Sequence, residues 1–214
     1  MDPEKIPFPL RLSIYLGGLI SVSLGIVLCK KCGLGISPIS SIPFVLENIT
    51  NLSFGTLTML FHLSNTALQA IIGRKIDLKI LLQIPIAFLF GYVINTIQGL
   101  LSFTAETMVF QIFVLLMSVF FTALGMVLMV NMQLVQNPPD GTVRQISMRS
   151  GKEIGRVKII YDITCVVISA SIGLLFLHRI VGFGIATIAS ALTVGRLVSL
   201  MNPLFSTLFK SKSI

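Results

Sequence analysis

Six stretches of about 20 mainly apolar residues dominate this chain: Leu12 to Leu28, Thr56 to Ile72, Ile80 to Ile97, Met108 to Val130, Ile159 to Leu177 and Val181 to Met201. At about 1.5 Å of rise per residue, each is long enough to cross a hydrocarbon core roughly 30 Å thick. Only 11% of the 214 residues are charged and 54% are hydrophobic, against roughly 25% charged in soluble domains. A water-soluble fold of this size has too little interior to hide that apolar surface. The expected fold is therefore all-α: a single transmembrane domain over residues 1–214, with the lipid bilayer as its partner. The first run follows Lys5 and Arg11 as a signal peptide would, but no small-x-small cleavage site closes it, so it reads as a retained helix.

The net charge of +8 sits in short clusters between the apolar runs, a pattern that marks topology and not a nucleic-acid-binding face. With the N-terminus inside, the inner segments hold twelve basic residues: Lys5, Arg11, Arg74, Lys75, Lys79, Arg144, Arg149, Lys152, Arg156, Lys158, Lys210 and Lys212. The outer segments hold three, Lys30, Lys31 and Arg179. Both termini are expected in the cytoplasm. Cys29-Lys30-Lys31-Cys32 has neither a second pair nor a nearby histidine to complete a metal site, and Cys165 reads as packing. No P-loop, H-E-x-x-H or G-x-S-x-G motif is present, so no cofactor is implied and no enzyme is expected.

The two halves, 12–98 and 108–202, echo each other at an offset of 100 residues. Pro38 matches Pro138, Ser40 matches Asp140, Phe54-Gly55 matches Ile154-Gly155, and Gly73 matches Gly173. After a four-residue slip, Gly91 matches Gly195. The polar residues inside the spans obey the same spacing: His62, Asn65 and Gln69 share one helix face and reappear as Asp162, Cys165 and Ser169. Tyr92, Asn95 and Gln98 are echoed by Arg196, Ser199 and Asn202. Three spans per copy force the copies into opposite orientations, an arrangement that places working sites at the interface of the halves in many transporters.

Each half also carries a Gly/Pro loop and a segment too short to cross. These are Gly33 to Ser41 followed by Ile42 to Ile49, and Asn137 to Gly141 followed by Thr142 to Arg149. Ser40 and Asp140 are expected to cap the short helices. The first is apolar enough to re-enter the membrane, whereas Arg144 and Arg149 favour an interfacial position for the second. Such unwound backbone at depth is tolerated only against protein or a watery cavity. Asp162 and Arg196 lie about 6 Å and about 7–8 Å inside the inner face, so an ion pair between them is expected. Ser37, Pro38, Ser40, His62, Asn65, Asn95, Pro138, Asp140, Asp162 and Arg196 are the candidate ligand-binding residues. His62 suits either a proton relay or a helix contact. Gly17, Gly18 and Gly25 suit close packing of the first span against a neighbour, in this chain or in a second copy.

Gly33-Leu34-Gly35-Ile36-Ser37-Pro38 with Ser53-Phe54-Gly55, and Pro138-Pro139-Asp140-Gly141 with Ile154-Gly155-Arg156-Val157 and Asp162, resemble the YczE/YyaS/YitT type of bacterial membrane protein, its YczE-like branch in particular. The resemblance runs from about Ser13 to Met201, with Ser40 where such proteins often show an aspartate. It implies the architecture and a bacterial plasma membrane, and it brings no activity. Two functions fit. One is a transporter or permease for a small polar or anionic solute, whose path includes Asn65, Gln69, Asn95, Ser169, Arg196 and Ser199. The other is a non-transporting accessory subunit that docks a partner such as an ATPase through Arg144 to Lys158.

Overall fold

The computed structural model describes residues 6–210, with side chains to 205. Lys5 and Lys212, two of the expected inner charges, lie outside the described residues, as does the side chain of Lys210. Among the described residues the secondary structure is helical throughout: α1 (Phe8–Lys31), a 3-10 turn (Pro38–Ser40), α2 (Ser41–Glu47), α3 (Phe54–Gly73), α4 (Leu78–Leu81), α5 (Gln83–Leu100), α6 (Met108–Met132), α7 (Pro138–Ser150), α8 (Ile154–Leu177) and α9 (Ile185–Lys210).

Among the described residues, five segments are long and apolar enough to cross a membrane: α1, Leu78–Leu100, α6, α8 and Ile185–Phe205 of α9. The remaining long helix, α3, has 20 residues. Its polar stripe lowers its hydropathy, yet that stripe is turned inward. His62, Asn65, Thr66 and Gln69 are buried, while Leu60, Leu68 and Ile71 face out. The same inversion holds over the whole surface, where Val109, Leu116, Leu175 and Ile188 are exposed. Apolar outside and polar inside is the pattern of a membrane-embedded bundle.

The centre of the bundle is the antiparallel crossing of α1 and α6. Ser21 Oγ donates to Phe121 O (2.8 Å) and Ser118 Oγ donates to Gly25 O (2.7 Å). A Cβ at Gly18 would lie 2.9 Å from Gly125 O, so the two backbones touch there. Gly18 and Gly25 thus pack within the chain, whereas Gly17 faces open space. Arg11 reaches the end of α6 and donates to Met132 O (2.8 Å).

The short helices dock crosswise. Ser41 of α2 lies on α8, donating to Cys165 O (3.2 Å) and accepting at its carbonyl from Ser169 Oγ (2.9 Å). Thr142 of α7 lies on α3, donating to Asn65 O (3.1 Å), while Gln69 Nε2 donates to Pro138 O (2.9 Å). The expected caps differ. Ser40 holds the N-cap position of α2 but makes no capping bond, its hydroxyl accepting from Ser37 Oγ (3.0 Å) instead. Asp140 falls inside the first turn of α7, because Pro138 and Pro139 start that helix early with Asn137 as N-cap. The last span starts at Ile185 and not at Val181, since the residues before it pair with another loop: Ile36 N donates to Gly182 O (2.8 Å) and Ala186 N to Leu34 O (2.9 Å). Gly35, at φ 109° and against Gly184, makes that approach possible. Close by, Lys30 Nζ binds Glu47 Oε2 (2.6 Å) and Gln98 Oε1 (3.0 Å), tying α1 to α2 and α5.

Replacing Gly18 with leucine forces α1 and α6 apart. We expect Gly18→Leu to cost at least about 1–3 kcal/mol in thermal unfolding of the detergent-solubilised protein, while Gly17→Leu stays within about 0.5 kcal/mol of the parent.

Candidate functional site

A cavity of about 1210 Å³ lies between the halves, a volume above the usual range for small-molecule pockets. Its blind end is formed by Ser37, Pro38 and Ser40 of the first loop, Thr58 and His62 of α3, Phe90 of α5, and Thr187 and Ser190 of α9. Its lining becomes exposed at the other end of the bundle, the mouth, which includes Leu134, Val135, Gln136, Asp77, Lys79 and Ile80, and also along the gap between α8 and α9, where Ile159, Ile163, Val167, Ile188 and Leu192 are exposed. The paired backbones of Leu34–Ile36 and Gly182–Ala186 lie beyond the blind end.

The blind end is built from neutral groups. Ser37 and Ser40 are held there because the proline at 38 opens a 3-10 turn in place of a full helix. His62 is 2% exposed, its ring 4.8 Å from that of Phe90, and its Nδ1 has no hydrogen-bond partner. A buried, unpaired ring nitrogen costs free energy unless something supplies its partner.

The charged groups gather nearer the mouth. Lys158 Nζ lies 3.0 Å from Asp162 Oδ1, four residues along α8, and 3.6 Å from Asp140 Oδ1 on α7. One ammonium thus bridges two carboxylates on separate elements. Asn137 Nδ2 supports the second, donating to Asp140 Oδ2 (3.3 Å). The expected Asp162–Arg196 pair is not made. Lys158 is on the same helix face as Asp162, while α8 and α9 diverge and leave Arg196 exposed with no ion pair among the described residues.

Of the ten candidate residues, Ser37, Pro38, Ser40, His62, Asp140 and Asp162 line the cavity. The other four stand behind or away from it. Asn65 accepts from Tyr161 Oη (2.6 Å), linking α3 to α8. Asn95 Oδ1 accepts from Gly55 N (2.9 Å), joining α5 to α3. Pro138 contributes its carbonyl to Gln69, and Arg196 faces outward. Of the wider polar path, Gln69 lines the cavity, while Ser169 is engaged with Ser41 and Ser199 with its own helix.

Three residues beyond that set matter. Gln83 exchanges two hydrogen bonds with Gln69 (2.8 and 3.0 Å) and lines the cavity. Lys158 had a sequence signal, its (i, i+4) spacing to Asp162, and Tyr161 had one in standing 100 positions after Phe61. Gln83 had only the polarity of a glutamine inside an apolar run.

A family model described as a family of unknown function, DUF6198, matches residues 9–203. The chain belongs to that family. The match takes in every residue that lines the cavity. No curated protein and no solved structure matches the chain.

Removing Lys158 leaves two facing carboxylates without their counter-ion, at side-chain exposures of 31% and 16%. That setting lies between a surface and a buried pair, so Lys158→Met should destabilise by roughly 1–2 kcal/mol. Arg196→Met should cost less than about 0.5 kcal/mol. Thermal unfolding of the two variants side by side checks the order.

Proposed function

We propose that this DUF6198 protein is a non-enzymatic permease of the bacterial plasma membrane, which carries a small polar solute through the space between two inverted three-helix repeats. The observation that carries this reading is the cavity, bounded by both halves of the chain and lined by buried residues at Pro38, Ser40, Thr58 and His62 and by exposed ones at Asp77, Lys79 and Gln136. In this reading α3 is the sixth span, since its buried polar stripe fits a helix facing a solute path.

The inverted arrangement is supported by the contacts at the α1–α6 crossing. An axis relating residue i to residue i+100 requires that, where Gly18 meets Gly125, Gly25 meets Ser118, and that residue 21 meets residue 121. Those are the observed partners. The crosswise docking of α2 on α8 and α7 on α3 obeys the same exchange. The basic clusters lie at the open end, with Arg74, Lys75, Arg149 and Lys152 around it. The positive-inside bias makes that end cytoplasmic, and with it both chain termini.

At the blind end Ser37, Ser40, Thr58, Thr187 and Ser190 bring hydroxyl oxygens to the lining, and His62 and Phe90 bring ring faces, with His62 Nδ1 itself buried out of reach. That set suits a neutral or zwitterionic organic molecule of modest size. Full charges are confined to the mouth side, where Lys79, Arg144 and Lys158 offset Asp77, Asp140 and Asp162. The resemblance to YczE-like proteins agrees with the membrane and the architecture. The accessory-subunit reading is favoured only by the exposed Arg149, Met148, Ile154 and Arg156 on α7 and α8, a surface a partner could use.

The test is a thermal-shift screen of the purified protein against amino acids, sugars, nucleosides and organic acids, followed by radiolabelled flux of each hit in proteoliposomes. We expect flux by the protein alone, reduced at least tenfold by Ser40→Val and by His62→Phe (about 1.4 kcal/mol per tenfold). Binding without flux, with flux restored only by a co-purified ATPase, would favour the accessory subunit.

A further inference from the structure

The two halves differ in one place. In the first half α3 and α5 are zipped together: a Cβ at Gly91 would lie 2.6 Å from Gly55 O, and Asn95 Oδ1 accepts from Gly55 N. In the second half the same positions are Gly155, Gly195 and Ser199 on α8 and α9. There the helices scarcely touch along their length. A Cβ at Gly195 would meet nothing within 4 Å, and one at Gly155 only Glu153 of its own chain turn, at 3.9 Å. Ser199 Oγ, with no partner across the gap, turns back onto Gly195 O (3.0 Å). Near its far end α8 packs instead on the connecting loop, Gly173 lying against Arg179 and Val181.

The loops show the same imbalance. Leu34–Ile36 are hydrogen-bonded to Gly182–Ala186, whereas their counterparts, Leu134–Gln136 and the α3–α5 connection, form the two unpaired lips of the cavity mouth. One half is closed, the other open, and the difference is the cavity.

We infer that the chain has a second conformation in which the halves exchange roles. In it α8 and α9 zip at Gly155 and Gly195, closing the present mouth. At the same time α3 and α5 part at Gly55 and Gly91, opening the blind end to the opposite face. Glycine is otherwise unexplained at 155 and 195. Neither has a positive φ, and both stand in helices with open space beside them, where glycine is disfavoured relative to alanine. A closed seam in the other state accounts for both. This inference rests on the inverted-repeat reading of the permease, but its test needs no solute.

Spin labels on matched positions read the two seams directly. Leu60 and Tyr92 report on α3–α5, and Ile160 and Arg196 report on α8–α9. All four are exposed, and Cys29, Cys32 and Cys165 are buried, so the unmodified chain serves as the labelling control. In lipid vesicles, double electron–electron resonance should give two populations for each pair. The minor 160–196 spacing should equal the major 60–92 spacing, and the reverse. The doubly substituted Gly155→Val/Gly195→Val protein meets no clash in the present conformation. It should therefore keep the parent's unfolding temperature while losing the short 160–196 population and the long 60–92 population together. One population per pair in the parent protein would overturn the inference, as would a short 160–196 distance without reciprocal lengthening of 60–92. Reciprocal distances without flux of any screened solute would uphold the second state and count against the permease.

Discussion

Hydrocarbon offers no partner to a polar group, and that constraint shapes every part of this molecule. A hydroxyl, amide or charge inside the bundle is costly unless another part of the chain satisfies it, and among the described residues few side-chain atoms, Tyr15 Oη and Ser23 Oγ among them, are left without a partner. Gln69 and Gln83 satisfy each other and the carbonyl of Pro138; Ser41 and Ser169 satisfy each other's helices; Lys158 satisfies two carboxylates. These bonds do more than relieve a penalty. Because van der Waals packing alone selects weakly among helix faces in lipid, the polar groups fix which face of α3 and of α8 turns inward.

Glycine sets the geometry within which those bonds form. Gly18, Gly25 and Gly125 let α1 and α6 cross with backbones in contact, and this crossing fixes where the remaining helices of each half can stand. The cavity follows from the arrangement. It lies where α9, held to α6 on one side and to the Leu34 loop at one end, stands away from α8. The neutral hydroxyls at its blind end and the balanced charges near its mouth are therefore supplied by different elements, so their chemistry can be altered separately.

Much of this was legible in the sequence. The apolar runs give the long helices to within about five residues, except that α9 runs on past Met201 to Lys210. The polar stripe of α3 marked an inward face. What was not legible depends on how helices stand relative to each other. Asp162 and Arg196 agree in depth, but depth says nothing of lateral separation, and the gap between α8 and α9 puts Arg196 on the outside. Asn65 and Asn95 looked like path-lining residues by their position. They are consumed by Tyr161 and Gly55, contacts that exist only once α3 has packed against two neighbours. The helix starts at Pro138 and Ile185 moved for a local reason, the proline pair in one case and the loop pairing of Gly182 in the other.

The crosswise docking of the short helices has a consequence for biosynthesis. Ser41 finds its partner on α8, and the bond to Ser169 spans 128 residues. At a synthesis rate of roughly 5–20 residues per second, α2 emerges some 6–25 s before the surface it needs. During that interval its unpaired backbone must wait at the ribosome-bound insertion machinery or at the bilayer surface. The surface for α2 is complete once α8 has been made, and the Leu34 loop waits longer still for its partners at Gly182 and Ala186.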